Sequence, residues 1–186
     1  MKFVNRELKG TKGYIRKQLI FEAVKTVVMF AMAFGIFFIG YMTLGTKKSL
    51  WSVLAVLALL PASKSLVGVI MLARFRSISD EDYELFSQKT GSLPTLYENI
   101  LTTSERTFFV PVLCYAASDL IAYTSGDAEP VKAHLDTVLK AAGHKVSVKV
   151  FTDKAAFCKR AEVMRDSFKD DTGSAAVLNT IKAVSL

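Results

Sequence analysis

Two long apolar runs within the first 75 residues constrain this chain more than any other feature. The first, TVVMFAMAFGIFFIGYM at residues 26–42, has no charged side chain. With residues 23–25 it reaches the ~20 residues that cross a hydrocarbon core about 30 Å thick. The second, residues 50–75, has Lys64 as the charge in its interior. The pattern predicts a transmembrane helical hairpin at 23–76, with spans of about 23–43 and 50–75.

A short polar connection joins the two runs. Residues 43–51 read TLGTKKSLW, in which Gly45 supplies a turn and Trp51 an interfacial aromatic side chain. So short a connection forces the two helices to be antiparallel. A buried hairpin of a water-soluble protein is the alternative, but 186 residues contain too little polar chain to cover two such helices.

The charge is distributed unevenly along the chain. Residues 1–76 carry twelve Lys and Arg against two Glu, a net charge of +10, whereas residues 77–186 have a net charge of −3. The basic character therefore belongs to the apolar half and its flanks, which is typical of membrane topology rather than of nucleic-acid binding. We expect no nucleic-acid partner.

The basic flanks also predict an orientation. They place both termini in the cytoplasm and the short loop outside, because cytoplasmic flanks are enriched in Lys and Arg. This predicts a multi-pass protein of the cell membrane, in which the basic juxtamembrane segment 1–22 fixes topology. We expect the same flanks to attract anionic lipid headgroups, and the residues involved are Lys9, Lys12, Arg16, Lys17, Arg74 and Arg76.

Lys64 is the unusual residue of the second span. It lies ten residues before Arg74, about 15 Å into the bilayer at 1.5 Å per residue. A central lysine costs about 2.5–3.5 kcal/mol on insertion scales. No Asp or Glu occurs between Lys25 and Arg76, and we expect the antiparallel partner to place Gly35 level with it.

Neighbouring polar and small residues soften that cost. Pro61 leaves a helix carbonyl without its N–H partner, and Ser63 and Ser65 offer hydroxyl groups. Ala31 with Gly35, and Ala58 with Ala62, form small-xxx-small patches that favour close helix packing. The patches serve packing within the hairpin or between copies. Lys64 has three interpretations: a partly snorkelled side chain, a side chain facing an oligomer interior, a water-filled crevice or an anionic lipid, or part of a proton or ion pathway.

The C-terminal half predicts a small cytoplasmic domain. Residues 77–91, which begin SISDEDYE, are an acidic linker; residues 92–170 form an α+β domain of order α-β-β-α-β-α, and residues 171–186 a tail. The predicted elements are a helix over 92–101, a hairpin over 108–115 and 120–124, a helix from Gly126 to Gly143, a strand over 145–152 and a helix capped by Asp153. The first strand is expected to start near Pro111, and the sheet edges to be exposed unless copies pair or helices cover them.

Catalytic motifs are absent from the sequence. The phosphate-loop, dinucleotide-binding, nucleophile-elbow and zinc-protease patterns do not occur. Cys114 and Cys158 are read as reduced, packed thiols, and His134 and His144 as solvated side chains. A PD-(D/E)xK nuclease site needs an acidic residue two positions before a strand lysine, and Lys149 has Ser147 there. We therefore assign no catalytic residue, metal ligand or cofactor, and the sequence favours a non-enzymatic role over an enzymatic one.

The stretch VLAVLALLPASKSLVGVIM resembles small two-span membrane proteins of Gram-positive anaerobic bacteria. In these a proline, a small pair and a lysine occupy the second span ahead of a cytoplasmic α/β segment. The resemblance implies topology and no activity.

Three functions remain open. The first is an integral membrane scaffold or sensor that presents a cytoplasmic interaction module and self-associates or binds another membrane protein. The second is a membrane-tethered enzyme acting on a phosphate-bearing substrate. The third is a small transport or pore-forming assembly around Lys64.

Overall fold

The computed structural model describes residues 9–44, 50–103, 106–168 and 173–186. The chain divides into two compact units: residues 15–76, here called the helix pair, and residues 1–14 together with 77–186, here called the α+β unit. Together they give a mixed α+β protein with two long apolar helices near its N-terminus.

The helix pair consists of α1 (Tyr14–Leu44) and α2 (Leu50–Ala73). Both contain stretches long and apolar enough to cross a membrane, namely Tyr14–Thr43 with 30 residues and Val53–Ala73 with 21. Pro61 lies inside α2. The predicted turn at Gly45 and the loop lysines Lys47 and Lys48 lie outside the described residues.

Within the described residues, the α+β unit contains a four-stranded sheet and four helices. In chain order these are α3 (Asp80–Thr90), β1 (Thr95–Thr102), β2 (Thr107–Ala116), β3 (Asp119–Tyr123), α4 (Ala128–Ala141), β4 (Ser147–Phe151), α5 (Lys154–Asp166) and α6 (Ser174–Val184). The strand order is β1-β2-β3-β4. The first two pairings are antiparallel and the β3–β4 pairing is parallel.

Each face of the sheet has its own apolar core. One core joins Leu113 and Leu120 of the sheet to Leu135 of α4 and Ile181 of α6. The other joins sheet residues to Phe86 of α3 and Phe157 of α5, whose rings meet edge to face at 5.5 Å between centroids. The sheet is therefore a central layer between two pairs of helices.

Several predicted elements are confirmed. The β2–β3 hairpin, α4, β4 and α5 occur where periodicity placed them, and the Asp153 carboxylate accepts hydrogen bonds from the N–H groups of Ala155 and Ala156. The tail is a full helix, α6, with Val177, Leu178 and Ile181 buried.

The predicted helix over residues 92–101 is wrong, because this segment forms β1. Glu98 has φ = 53°, which interrupts the regular side-to-side alternation of a strand. Leu96 and Leu101, five positions apart, consequently pack into the same core. The interruption produces apolar spacings of three and four, which imitate those of a helix.

Pro111 lies within β2 rather than at its start, which corrects a second expectation. The register of β1 and β2 places it opposite Glu98, and this position is missing from the paired residues on either side. Because proline has no N–H group, it fits where the ladder is already interrupted.

The acidic segment 77–91, predicted to be a linker, contains α3. The Ser79 hydroxyl accepts a hydrogen bond from the Asp82 N–H, and the acidic residues of the first turn complement the positive end of the helix dipole. Phe86 is completely buried. The acidic cluster marks the start of a helix.

Candidate functional site: a polar cluster between two apolar helices

The two apolar helices are antiparallel, and two contacts fix their register. The hydroxyl oxygens of Thr26 and Ser65 lie 2.9 Å apart, and near the other end Gly40 lies directly against Trp51. In this register Lys64 is level with Val27, eight residues from the expected Gly35. The prediction that Gly35 lies level with Lys64 is therefore wrong.

Small side chains line the face that α1 turns toward α2. Thr26, Ala33 and Gly40 are buried and spaced by seven residues, so they share one side of α1. On α2 Ala62 is completely buried and Ala55 nearly so. Their burial allows the backbones of the two helices to approach closely on this face.

The small-xxx-small patch predicted on α1, Ala31 with Gly35, does not lie on the face that packs against α2. Ala31 and Gly35 are about 140° and 180° around the axis from Thr26. Ala31 is exposed, Gly35 is half-buried, and a methyl group on Gly35 would meet nothing within 4 Å. Packing between copies through these two residues stays a prediction.

A polar cluster joins the helices on the side of Ser65, and we call its members Glu22, Lys25, Thr26 and Ser65 the Glu22 cluster. The Ser65 hydroxyl donates to the Glu22 carboxylate at 3.0 Å, and the Lys25 ammonium lies 2.6 Å from the same carboxylate oxygen. The Thr26 hydroxyl lies 2.7 Å from the Glu22 carbonyl oxygen. The members of the cluster therefore bind one another, although the Lys25 side chain stays 42% exposed.

Lys64 is next to the cluster in sequence but does not belong to it. Its side chain is exposed and forms no hydrogen bond or ion pair with the part of the chain that the structure describes. Pro61 is exposed, and the Ser63 hydroxyl donates to the carbonyl of Leu59 in its own helix at 2.8 Å. Of the polar residues predicted around Lys64, only Ser65 faces α1.

Glu22 and Thr26 were absent from the sequence prediction. Glu22 was assigned to the basic segment 1–22, outside the span. Its contact with Ser65 was missed because the distance between the two residues depends on the register of the helices. The one feature of the sequence that could have indicated this cluster is the spacing of Glu22 and Thr26, which are four residues apart and therefore share a helix face.

The six predicted headgroup-binding residues fall into two groups. The Lys9 ammonium donates to the Ser185 carbonyl at 2.7 Å, and the Lys12 ammonium lies 2.7 Å from the Asp80 carboxylate and 4.5 Å from the centre of the Tyr83 ring. The Asp80 hydrogen bond raises the pKa of Lys12, and Lys12 lowers the pKa of Asp80. The other four are exposed: Arg16, Lys17, Arg74 and Arg76. A lipid contact stays a prediction for all six.

The outer edge of β1 is covered by segments of the same chain. The Tyr97 N–H donates to the Gly10 carbonyl at 2.9 Å, and the Leu186 N–H donates to the Ile100 carbonyl at 2.9 Å. The Ser185 backbone also forms a bridge to Leu101. This edge is therefore not open to pairing with another strand.

Glu98 anchors the segment that connects α2 to α3. Its side chain is buried, and the carboxylate accepts hydrogen bonds from the Ile78 N–H at 3.2 Å and the Ser77 hydroxyl at 3.4 Å. A left-handed backbone costs a non-glycine residue about 1–2 kcal/mol. Hydrogen bonds to a charged group contribute about 1.5–3 kcal/mol, which offsets that strain.

Three chemistry-bearing side chains of the α+β unit are ion-paired or buried. The Asp119 carboxylate lies 2.6 Å from Arg160 and 3.7 Å from Lys149. Burial raises the pKa of the Cys114 thiol to about 12 and also raises that of Cys158, so both are neutral thiols at physiological pH. Within the described ranges, no group of three or more His, Cys, Asp or Glu side chains is arranged to hold a metal ion.

His134 and His144 were predicted to be solvated, and both are partly buried. Burial lowers the pKa of His134, which favours its neutral form. The His144 ring Nε2 lies 3.1 Å from the Thr180 hydroxyl. Their burial comes from packing of the α+β unit, which the sequence pattern did not indicate.

Comparisons with protein-family models, with curated proteins and with solved structures find no match to this chain. The fold therefore defines only a general class: two long apolar helices followed by a small α+β unit with a four-stranded sheet.

Proposed function

We propose that this chain is a two-pass integral membrane protein that acts as a scaffold or sensor. Its helix pair crosses the bilayer with both termini in the cytoplasm, and its α+β unit is a cytoplasmic interaction module that self-associates. This proposal assigns no catalytic reaction to the α+β unit.

The observation that carries the proposal is the attachment of both connecting segments to one strand. The segment before α1 binds β1 through the Gly10 carbonyl and the Tyr97 N–H. The segment after α2 binds the next residue, Glu98, through Ile78 and Ser77. Two adjacent residues of β1 thus hold the chain where it enters and where it leaves the helix pair. Such an attachment supports a sensor role, because a movement of either apolar helix would pull on β1 of the α+β unit.

The segment before α1 also binds the first turn of α3. The Lys12 ammonium pairs with Asp80 at the start of α3 and lies over the ring of Tyr83. Exposed ion pairs contribute little individually. Together with the hydrogen bonds to Tyr97 and Glu98, however, this ion pair holds both connecting segments on the same part of the α+β unit.

The antiparallel register supports the proposed orientation. Extended from the Thr26–Ser65 contact, it brings the exposed Lys17 level with the exposed Arg74. Basic side chains then gather at one end of both helices, as the positive-inside rule requires at the cytoplasmic surface.

Membrane insertion and orientation are tested on the full chain expressed in bacterial cells. We expect the protein to stay in the membrane fraction after alkaline carbonate extraction. A cysteine replacing Lys48 should react with a membrane-impermeant maleimide from outside, whereas a cysteine replacing Leu186 should react only after lysis. Release by carbonate, or the opposite labelling pattern, would reject the proposal.

Self-association is tested separately, by light scattering of the purified protein in detergent with the detergent mass subtracted. We expect a particle of two or more copies. A monomeric particle would remove self-association and leave the membrane anchor in place.

The enzyme alternative has less support, because the Asp119 carboxylate is already paired with Arg160 and Lys149. Phosphatase and nuclease assays with divalent cations test it directly, and activity that survives further purification would favour it.

A further inference from the structure

Lys64 carries a charge that nothing in the described part of the chain neutralises. The nearby carboxylate of Glu22 is bound by Lys25 and by the Ser65 hydroxyl. The Ser63 hydroxyl is bound within its own helix. Glu22, Lys25 and Lys64 together leave a net charge of +1 at this level of the helix pair.

Lys64 lies below the level of the basic residues at the end of the helix pair, if the helix pair is inserted as proposed above. Ten residues of α2 separate it from Arg74, about 15 Å along the helix axis. A lysine side chain extends roughly 6 Å, so the ammonium group stays below the level of Arg74 even when the side chain extends toward that end of the helix.

A second copy of this chain lacks a matching acid. No Asp or Glu occurs between Lys25 and Arg76, and Glu22 of that copy would be occupied in the same way. A dimer through this face would therefore bring two unneutralised lysines together, which is unfavourable in a medium of low dielectric constant.

We propose that Lys64 is the docking point for a different membrane protein, whose transmembrane helix carries an Asp or Glu side chain at the same depth. The surface around Lys64 suits a helix: Leu60 and Val67 are exposed on either side. Gly68, one turn further, has open space where a side chain would begin. A partner helix can approach closely there and place its carboxylate on the ammonium group. This partner assignment rests on the proposed membrane insertion.

The experiment uses a synthetic leucine-rich transmembrane helix as the partner. The helix carries one Asp ten residues from an Arg at its cytoplasmic end and a dansyl group at its other end. It is reconstituted with the full chain in phosphatidylcholine vesicles. Trp51, the single tryptophan, serves as the energy donor. We expect the Asp helix to associate at least about tenfold more tightly than the same helix with Leu at that position.

Matched variants separate the charge from the rest of the surface. Lys64→Leu should abolish the preference for Asp, and Lys64→Arg should retain it. Ser63→Ala should change nothing, because that hydroxyl is bound to its own helix. A helix with its Asp placed near the opposite end should bind no better than the Leu helix.

Equal binding of the Asp and Leu helices, or a preference for Asp that survives in Lys64→Leu, would overturn the proposal. Loss of the preference when phosphatidylglycerol replaces part of the phosphatidylcholine would assign Lys64 to anionic lipid instead. Carbonate extraction of the vesicles is the separate check on insertion. Protein released by carbonate would count against the proposed membrane insertion. Protein that stays in the vesicles but shows no preference for the Asp helix would count only against the proposed partner.

Discussion

Replacing Gly40 by alanine should weaken the contact between the two apolar helices. A methyl group on Gly40 would overlap the Cβ atom of Trp51 and lie 2.8 Å from its Cγ atom. Because the obstructing atoms are at the root of the tryptophan side chain, a rotamer change cannot relieve the overlap. The helices must therefore separate at this end.

The expected magnitude follows from a matched control on the same helix. Gly35→Ala adds the same methyl group where nothing lies within 4 Å. Both variants gain up to ~1 kcal/mol of helix propensity, whereas only Gly40→Ala pays an overpacking cost of about 1–3 kcal/mol. We expect Gly40→Ala to be less stable than Gly35→Ala by about 1–3 kcal/mol.

The assay uses the fluorescence of Trp51, the one tryptophan of the chain. The purified protein in mild-detergent micelles is titrated with sodium dodecyl sulfate while Trp51 emission is followed. Gly40→Ala should shift the emission maximum in the mild detergent and lower the transition midpoint, and Gly35→Ala should do neither. Identical curves for the two variants would refute the close approach of Gly40 and Trp51.

Three further predictions concern buried polar groups and a thiol. Ser65→Ala removes the hydroxyl that joins Glu22 to the second helix and should cost roughly 0.5–1.5 kcal/mol in the same titration; Ser63→Ala is the matched control, and an equal effect of both would contradict the cluster. Glu98→Gln should lower the stability of the α+β unit by roughly 1–2 kcal/mol in urea unfolding followed by circular dichroism, since it weakens charge-assisted hydrogen bonds; an unchanged midpoint would reject the anchoring role. Burial raises the pKa of Cys114 to about 12 from 9.0 in the unfolded chain. The unfolded chain therefore loses this proton first, and folding stability falls between about pH 9 and pH 12 by up to about 1.4 kcal/mol per pH unit. Cys114→Ser should lessen that slope, and an identical slope would contradict the prediction.

Much of the α+β unit was predictable because its elements follow simple periodicity. Helix α4 buries Val131, Leu135 and Leu139, which are three or four residues apart, and Gly143 with φ = 79° follows its end. Asp153 at the start of α5 is a cap that local sequence dictates. The positions of these helices and of their ends depend on residues within one or two helical turns in the sequence.

The errors occur where a distant residue overrides the local pattern. The apolar spacing of β1 looks helical because Glu98 interrupts the strand alternation, and that conformation exists because Ile78 and Ser77, about twenty residues earlier, bind its carboxylate. Likewise α3 is stabilised through Phe86 packing against Phe157, 71 residues later. Residues 80–90 alone show only an acidic polar segment.

The sequence by itself determined the two apolar helices, because a long and predominantly apolar run needs little but length to indicate a membrane span. Only the tertiary structure decided how these helices face each other. It brought Ser65 to Glu22, left Lys64 outside their contact, and selected Ala33 rather than Ala31 for the packed face of α1. The physical reason is that the relative rotation and axial register of two apolar helices depend on the close fit of small side chains such as Gly40 against Trp51. Composition and periodicity specify that fit only weakly.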